Sequence, residues 1–492
     1  MKIYIRGLDD HRFQRPLELL SQLFFEDCNV SLVEIEDADL EIQFHLDEQN
    51  KAVSGELGKD IQSATTYVEG KDEKESFKLK KKAVNFVFLT LLQDQTKIEQ
   101  KWGILTGIRP TKLLHTKLKN GMTKEMAHNE LRNDYLIHEE KIQLMQSIVD
   151  RQLKVIPDLY NLENEVSIYI GIPYCPTKCA YCTFPAYAIQ GKQGAVDSFL
   201  YGLHYEMEKV GEFLKERGIN ITTIYYGGGT PTSITAEEMD LLYAKMHESF
   251  PNMKNVREIT VEAGRPDTIT PEKLDVLNKW NIDRISINPQ SYIQETLKAI
   301  GRHHTVDETI TKFHLAREMG MNNINMDLII GLPGEGLKEF QYTLDETEKL
   351  MPESLTVHTL SFKRASEMTQ NKQKYKVAER EEVQQMMNEA TVWTENHNYH
   401  PYYLYRQKNI LGNLENIGYA VDGQESLYNI LIMEEEQTII GLGCGASSKF
   451  VHPGTRQITR FANAKDPKSY NDGYEHYTNA KIKILDELFS KK

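Results

Sequence analysis

The stretch YIGIPYCPTKCAYCTFP, residues 169–185, places three of the chain's five cysteines within eight positions. Cys175, Cys179 and Cys182 read C-x3-C-x2-C, and no fourth cysteine or histidine follows nearby. A soft, closely spaced thiolate set selects iron–sulfur or zinc. Structural zinc wants four protein ligands, often as two pairs, and this loop offers three. Three thiolates can instead hold three irons of a [4Fe–4S] cluster and leave the fourth iron open to a small molecule. Pro176 and Thr177 keep the loop from continuing as helix. Buried, unreactive cysteines are the competing reading, and the spacing favours the cluster.

The loop follows a β-branched, alternating run, VSIYIGIP (166–173), and precedes a stretch with Leu203, Met207, Val210 and Leu214 at helical spacing. The same strand-then-helix unit recurs. Further strands are expected at 221–228, 257–264, 283–290, 323–333 and 354–362, with helices such as TAEEMDLLYAKMHESF and LKEFQYTLDETEKLM between them. Six strands alternating with helices predict a parallel sheet with right-handed crossovers, an α/β partial (β/α)6 barrel too short to close as an eightfold one. Chemistry in such sheets gathers at the carboxyl ends of the strands, and the cysteine loop lies at one of them.

Length and composition bound the rest. At 492 residues the chain exceeds one ordinary core. Three domains are expected: an α+β accessory domain (1–160), the barrel (161–370) and a C-terminal cap (371–492). A net charge of −14 gives no electrostatic footprint for nucleic acid. The longest apolar run, FVFLTLL, is far short of the roughly 20 residues that span a bilayer. The start lacks the apolar core of a signal peptide, so a cytoplasmic protein is expected, without stable membrane insertion. The KLKKK run (78–82) reads as a solvated face, and Arg109 and Lys112 in GIRPTK as part of a turn.

The cysteine spacing resembles the radical S-adenosylmethionine (radical SAM) superfamily. Further motifs (YYGGGTPT, EITVEAG, RISINPQSY, IGRHH, NMDLIIGLPGE and GLGCGASS) resemble its oxygen-independent coproporphyrinogen III dehydrogenase (oxidase) family, over roughly residues 165–450. The N-terminal region is most similar to the HemZ-type branch. The resemblance implies a [4Fe–4S] cluster on Cys175, Cys179 and Cys182, and S-adenosyl-L-methionine (SAM) on its open iron. It implies Gly228, Gly229 and Thr230 at the methionyl end, Glu262 on the ammonium and Arg302 on the carboxylate. Gln290 and Asp327 would take the ribose hydroxyls, Tyr169 and Tyr181 would pack the cofactors, and Ser361 would lie near adenine. The implied reaction is oxidative decarboxylation of coproporphyrinogen III propionates to vinyl groups. A low-potential donor of flavodoxin or ferredoxin type would supply electrons. No further catalytic residue is expected, because hydrogen abstraction needs no general base. The alternatives are a haem carrier on the same scaffold and a tetrapyrrole methyltransferase.

The chain departs from that family in places. Phe184 stands where decarboxylating members have a further cysteine, Gly171 replaces a histidine, and Asn288–Pro289 replaces glycine–valine in the fourth strand. Proline in a central ladder removes an N–H, so that strand should end there. The carrier branch's H-N-x-x-Y-W signature is missing, and Lys408–Asn409 stands in the corresponding stretch. Arg265, His303, His304, His358, Lys363 and Arg364 are candidates for tetrapyrrole carboxylates. Cys444, in a glycine-rich loop, reads as either a buried residue or a site contact.

Overall fold

The computed structural model describes residues 1–490 except 26, 108, 185, 190–192, 364 and 365. The chain forms two compact units, Met1–Val149 and Asp150–Lys492.

In the first unit, strands β1 (Lys2–Arg6), β2 (Asn29–Ser31), β3 (Leu40–Asp47), β4 (Ala52–Leu57) and β5 (Ile61–Thr66) form a sheet of order β2-β1-β3-β4-β5. Alternation along β4, Val53 and Leu57 inward, matches one buried face. That face packs on the helix Glu73–Thr96, whose start is capped by Asp72 accepting from the Glu75 N–H. The basic run lies on this helix, with Lys80 paired to Glu48 and Lys82 to Asp134. Arg109 and Lys112 lie in this unit too, at the start of the helix Pro110–Lys119.

The second unit is built on one eleven-stranded sheet. Its parallel centre is β6 (Glu165–Ile172), β9 (Asn220–Gly228), β10 (Glu258–Val261), β11 (Arg284–Ser286), β12 (Ile324–Ile330) and β13 (Ser354–Thr359), side by side in chain order. These are the six expected strands. The strands are buried on both faces, as a helix-covered parallel sheet requires. Crossover helices start where their sequence says they should. Thr235 and Glu238 form a reciprocal capping box before Ala236–Ser249, and Thr270 followed by Pro271 opens the next helix. The fourth strand stops at Ser286, ahead of Asn288–Pro289. The cysteine loop is bracketed by a two-stranded patch, β7 (Tyr174–Cys175) paired with β8 (Tyr187–Ala188).

Residues after 370 extend both edges of the same sheet. β14 (His400–Tyr405) and β15 (Asn416–Ala420) add antiparallel to β13. β16 (Thr438–Gly443) runs parallel to β6, and β17 (Ser447–Val451) and β18 (Ile458–Ala462) follow it. The sheet order is β14-β15-β13-β12-β11-β10-β9-β6-β16-β17-β18, with β14 and β18 as its two edges. No helix among the described residues is long and apolar enough to cross a membrane.

β16 is fastened by a buried charge. Glu206, on the helix Gln193–Arg217, meets Lys481, on the helix Pro467–Phe489, with both side chains fully buried. The same carboxylate accepts the Gly443 N–H (2.7 Å), the Tyr470 hydroxyl (2.8 Å) and the Asn463 amide (3.0 Å). Burial lowers the Lys481 pKa, yet its ammonium also reaches the Gly441 carbonyl at 2.6 Å. Removing one partner leaves a charge stranded. Lys481→Met should therefore destabilise the protein by about 3–5 kcal/mol, read as a lower urea midpoint, and adding Glu206→Gln should restore much of it.

Candidate functional site

A cavity of ≈350 Å³ opens at the carboxyl ends of the parallel strands, within the size range of small-ligand pockets. Its walls bring together Cys175, Cys179 and Cys182, Tyr181, Gly228, Gly229 and Thr230, Glu262, Gln290, Arg302, Asp327 and Ser361. Of the expected site residues only Tyr169 is missing from the lining. It stands one layer below, stacked on Tyr225 and Tyr428 at 6.2 and 6.3 Å, and touches the space a side chain at Gly227 would need.

The cysteine loop is held by backbone bonds on two sides. Gly229 and Thr230 donate their N–H groups to the carbonyls of Ile172 (2.8 Å) and Tyr174 (2.7 Å). A Cβ on Gly229 would lie 2.5 Å from the Tyr174 oxygen and 3.1 Å from Cys175 Sγ, so only glycine fits, and Gly228 needs its φ of +112°. On the other side Ala180 donates to the Ile300 carbonyl, and Met368 donates to that of Ala180. Burial pushes the Cys175 thiol up to about 11 and raises Cys182 as well, so binding iron would release protons. Among the described residues no three metal-binding side chains close on a single ion. Thiols that each serve a different iron of one cluster need to stand apart.

Arg302 is buried, not a solvated surface residue. Its guanidinium donates to the carbonyls of Gly264 and Asn288 (both 2.8 Å) and to the Tyr181 hydroxyl (3.3 Å), while among the described residues Nε has no partner and no carboxylate meets its charge. Glu262 accepts a short hydrogen bond from the Tyr225 hydroxyl, yet burial still pushes its carboxyl up to about 7. Asp327 accepts from Asn325 (2.7 Å) and Asn288 (2.9 Å), with His358 Nε2 at 3.4 Å. Burial alone would raise Asp327; the His358 contact, the Asn325 amide and the Thr356 hydroxyl hold it below the usual carboxylate range. Gln290 takes a left-handed φ of +66°, which lets its backbone bridge to β12 while its buried Oε1 has no partner among the described residues.

These atoms suit the groups implied by the cysteine spacing. Three thiols lie in the lining, and Gln290, Asn288 and Arg302 of the same lining carry buried polar atoms (Oε1, Oδ1 and Nε) without partners among the described residues. Unsatisfied buried polar atoms are costly, and a polar ligand such as SAM would satisfy them.

Other candidates separate. Arg265 lines the cavity but is spent on Asp267 in a two-pronged pair (3.0 and 2.9 Å) and on Thr177 (3.0 Å). His304 is buried off the cavity, held neutral near pKa 3 by burial and two arginines. His303 is exposed, and Arg364 lies outside the described residues. His358 and Lys363 line the cavity. Cys444 is buried away from it, its thiol 3.4 Å from the Ala464 carbonyl and pushed up to about 12 by burial.

The sequence reading missed Tyr405 on β14, Gln407 just after it and Asn416 on β15, all cavity-lining. The Tyr405 hydroxyl sits 3.1 Å from His358 Nδ1. Only the alternation of Tyr403 and Tyr405 hinted at an inward face. Asn288, noted merely as a departure, carries the Asp327 contact and the carbonyl that anchors Arg302.

The fold is that of the radical SAM superfamily, whose sequence profile matches residues 169–347. The chain is 68% identical, over 496 aligned residues covering all of it and 99% of the relative, to the oxygen-independent coproporphyrinogen-III oxidase-like protein HemZ of Bacillus subtilis strain 168. It is 31% identical to the heme chaperone HemW of the same strain, over 59% of this chain and 72% of that protein. The solved coproporphyrinogen III oxidase HemN of Escherichia coli shares the fold, with a TM-score of 0.52 and 21% identity over 66% of this chain and 72% of that one. The chain belongs to the HemZ-type family of coproporphyrinogen-III oxidase-like radical SAM proteins. Membership implies a [4Fe–4S] cluster and SAM.

Glu262 yields a pH test in the ligand-free protein. Its folded pKa of about 7 lies above the ordinary 4.5, so the native state holds the extra proton and stability falls as pH rises through that window. Glu262→Gln removes the penalty. The variant should exceed the wild type by on the order of 2 kcal/mol at pH 8, with the gap closing toward pH 4.5, as measured by urea unfolding.

Proposed function

We propose that this chain is a cytoplasmic radical SAM oxidoreductase of haem biosynthesis that converts propionates of coproporphyrinogen III to vinyl groups without oxygen. The observation that carries this reading is the gathering of three thiols, a glycine turn, an acid and an unneutralised arginine around one cavity. Cys175, Cys179 and Cys182 would hold the cluster. When bound, the cluster and SAM supply a 5'-deoxyadenosyl radical by one-electron cleavage.

The residues' work is binding and exclusion of water. Glu262 and Arg302 offer opposite charges to the two ends of an amino acid, and charge-assisted bonds of this kind are the strong ones. Glu262, with its pKa raised by burial, is ready to regain its charge beside an ammonium. Gln290 and Asp327 present acceptors for ribose hydroxyls. Gly228, Gly229 and Thr230 let the methionyl end approach the backbone, Tyr181 and Tyr169 back the cofactors, and Ser361 borders the adenine.

On the substrate, one hydrogen leaves the propionate β-carbon, and loss of carbon dioxide and one electron leaves a vinyl group. Two rounds give protoporphyrinogen IX. We assign residues 161–370 to this chemistry, 371–492 to closing the site and 1–160 to an accessory role, with a flavodoxin- or ferredoxin-type protein as electron donor.

A haem carrier is the second reading, favoured by the similarity to heme chaperone HemW across 72% of that protein. One anaerobic assay separates the two. Reconstituted protein with reductant, SAM and coproporphyrinogen III should release 5'-deoxyadenosine and a product lighter by one carbon dioxide and two hydrogens per propionate. Cys179→Ala should abolish both. Unchanged porphyrinogen together with tight haem binding would favour the carrier.

A further inference from the structure

The charges lining the cavity do not balance within the protein. Arg265 is neutralised by Asp267, and His358 faces Asp327. On the reading given above, Glu262 meets the ammonium of SAM and Arg302 its carboxylate. Two lysines of the lining are then left over: Lys178 is exposed to solvent, and Lys363 is the one held partly out of it. Lys363 lines the cavity and is partly buried; its carbonyl accepts from Ser366, while its ammonium makes no hydrogen bond or ion pair among the described residues. A cation held out of bulk water without a counter-charge is unfavourable, and a carboxylate from a second ligand would correct it.

A second oddity stands next to it. Phe184 is 36% exposed, the one large hydrophobic side chain of the described cavity lining to be classed as exposed. Both residues neighbour Cys182: the charge of Lys363 acts on its thiol, and the Phe184 backbone N–H is hydrogen-bonded to it. An apolar plate and an unspent cation therefore flank the same edge of the cysteine loop. Aromatic rings left at a cavity mouth suit flat, conjugated or apolar ligands.

We propose that Phe184 and Lys363 are the substrate-recognition pair, Phe184 seating the face of a tetrapyrrole at the cavity mouth and Lys363 holding one of its propionate carboxylates. The proposal rests on the cofactor assignment above, which accounts for the other charges. A four-pyrrole ring is too large for what SAM leaves of a ≈350 Å³ cavity, so the ring stays at the mouth and one propionate edge enters. Lys363 is then a specificity residue. It selects ligands by carboxylate and takes no part in bond breaking.

The test is binding of coproporphyrin III and of its tetramethyl ester to the full-length, cluster-bearing protein, by equilibrium dialysis. Iron content and visible absorption verify that each variant keeps its cluster. Lys363→Ala should weaken the acid about tenfold, in line with one charge-assisted contact near the solvent, and leave the ester unaffected. Lys363→Arg should keep most of the acid's affinity, and Phe184→Ala should weaken acid and ester alike. Equal loss for acid and ester in Lys363→Ala would overturn the anchor and make Lys363 a counter-charge to the cluster. Unchanged acid binding in Lys363→Ala would overturn it too. Should decarboxylation fail while the acid–ester difference tracks Lys363, the reaction reading falls and the anchor stands.

Discussion

The N–H groups of Gly229 and Thr230 reach across the end of β9 to the carbonyls of Ile172 and Tyr174, on the segment that leads into the cysteines. This short ladder fixes where Cys175 stands, and Thr230 Oγ1 lies 3.3 Å from its sulfur. It works only because Gly229 has no side chain, since any Cβ would strike the Tyr174 carbonyl. The loop's far side depends on the turn at Ile300–Gly301, which leads directly into Arg302. One set of backbone contacts thus sets the thiols, and the chain continuing from it sets the guanidinium. The three thiols and the proposed carboxylate clamp are positioned together.

Burial gives this arrangement its electrostatic character. Glu262, Asp327 and Arg302 all sit where an unpaired charge is expensive, and each is handled differently. Asp327 is held below the usual carboxylate range by His358, the Asn325 amide and the Thr356 hydroxyl. Glu262 has a single phenol and a backbone N–H and drifts toward the neutral form. Arg302 donates to two carbonyls and a phenol, none of which cancels its charge, and its Nε–H has no partner among the described residues. A zwitterionic ligand would complete Glu262 and Arg302 at once, and this is the physical reason to seat SAM between them.

Much of this was legible in the residues. Six alternating strand–helix units lay in the chain as β-branched runs and capped amphipathic stretches, and they pair side by side in chain order. The early end of β11 followed from Pro289. The sheet edges were not legible. β16 joins β6 from more than two hundred residues away, and nothing in TIIGLG names its neighbour. Arg302 could be singled out only through family resemblance, because a turn residue after the short helix Gln294–Ala299 carries no periodic mark of burial. Asn288 looked like a blemish in a strand and proved to be a hinge between Asp327 and Arg302. Tyr405 and Asn416 reach the cavity through long-range pairing of β14 and β15 with β13, which local pattern cannot show.

The central claim is that three cysteines leave one iron open and that SAM closes it, oriented by Arg302. Electron paramagnetic resonance of the reduced cluster, titrated with SAM, tests this most directly. The account predicts a new cluster signal that saturates with SAM in the wild type and needs markedly more SAM in Arg302→Gln. A signal unchanged at saturating SAM, or a normal cluster surviving in Cys182→Ser, would contradict it.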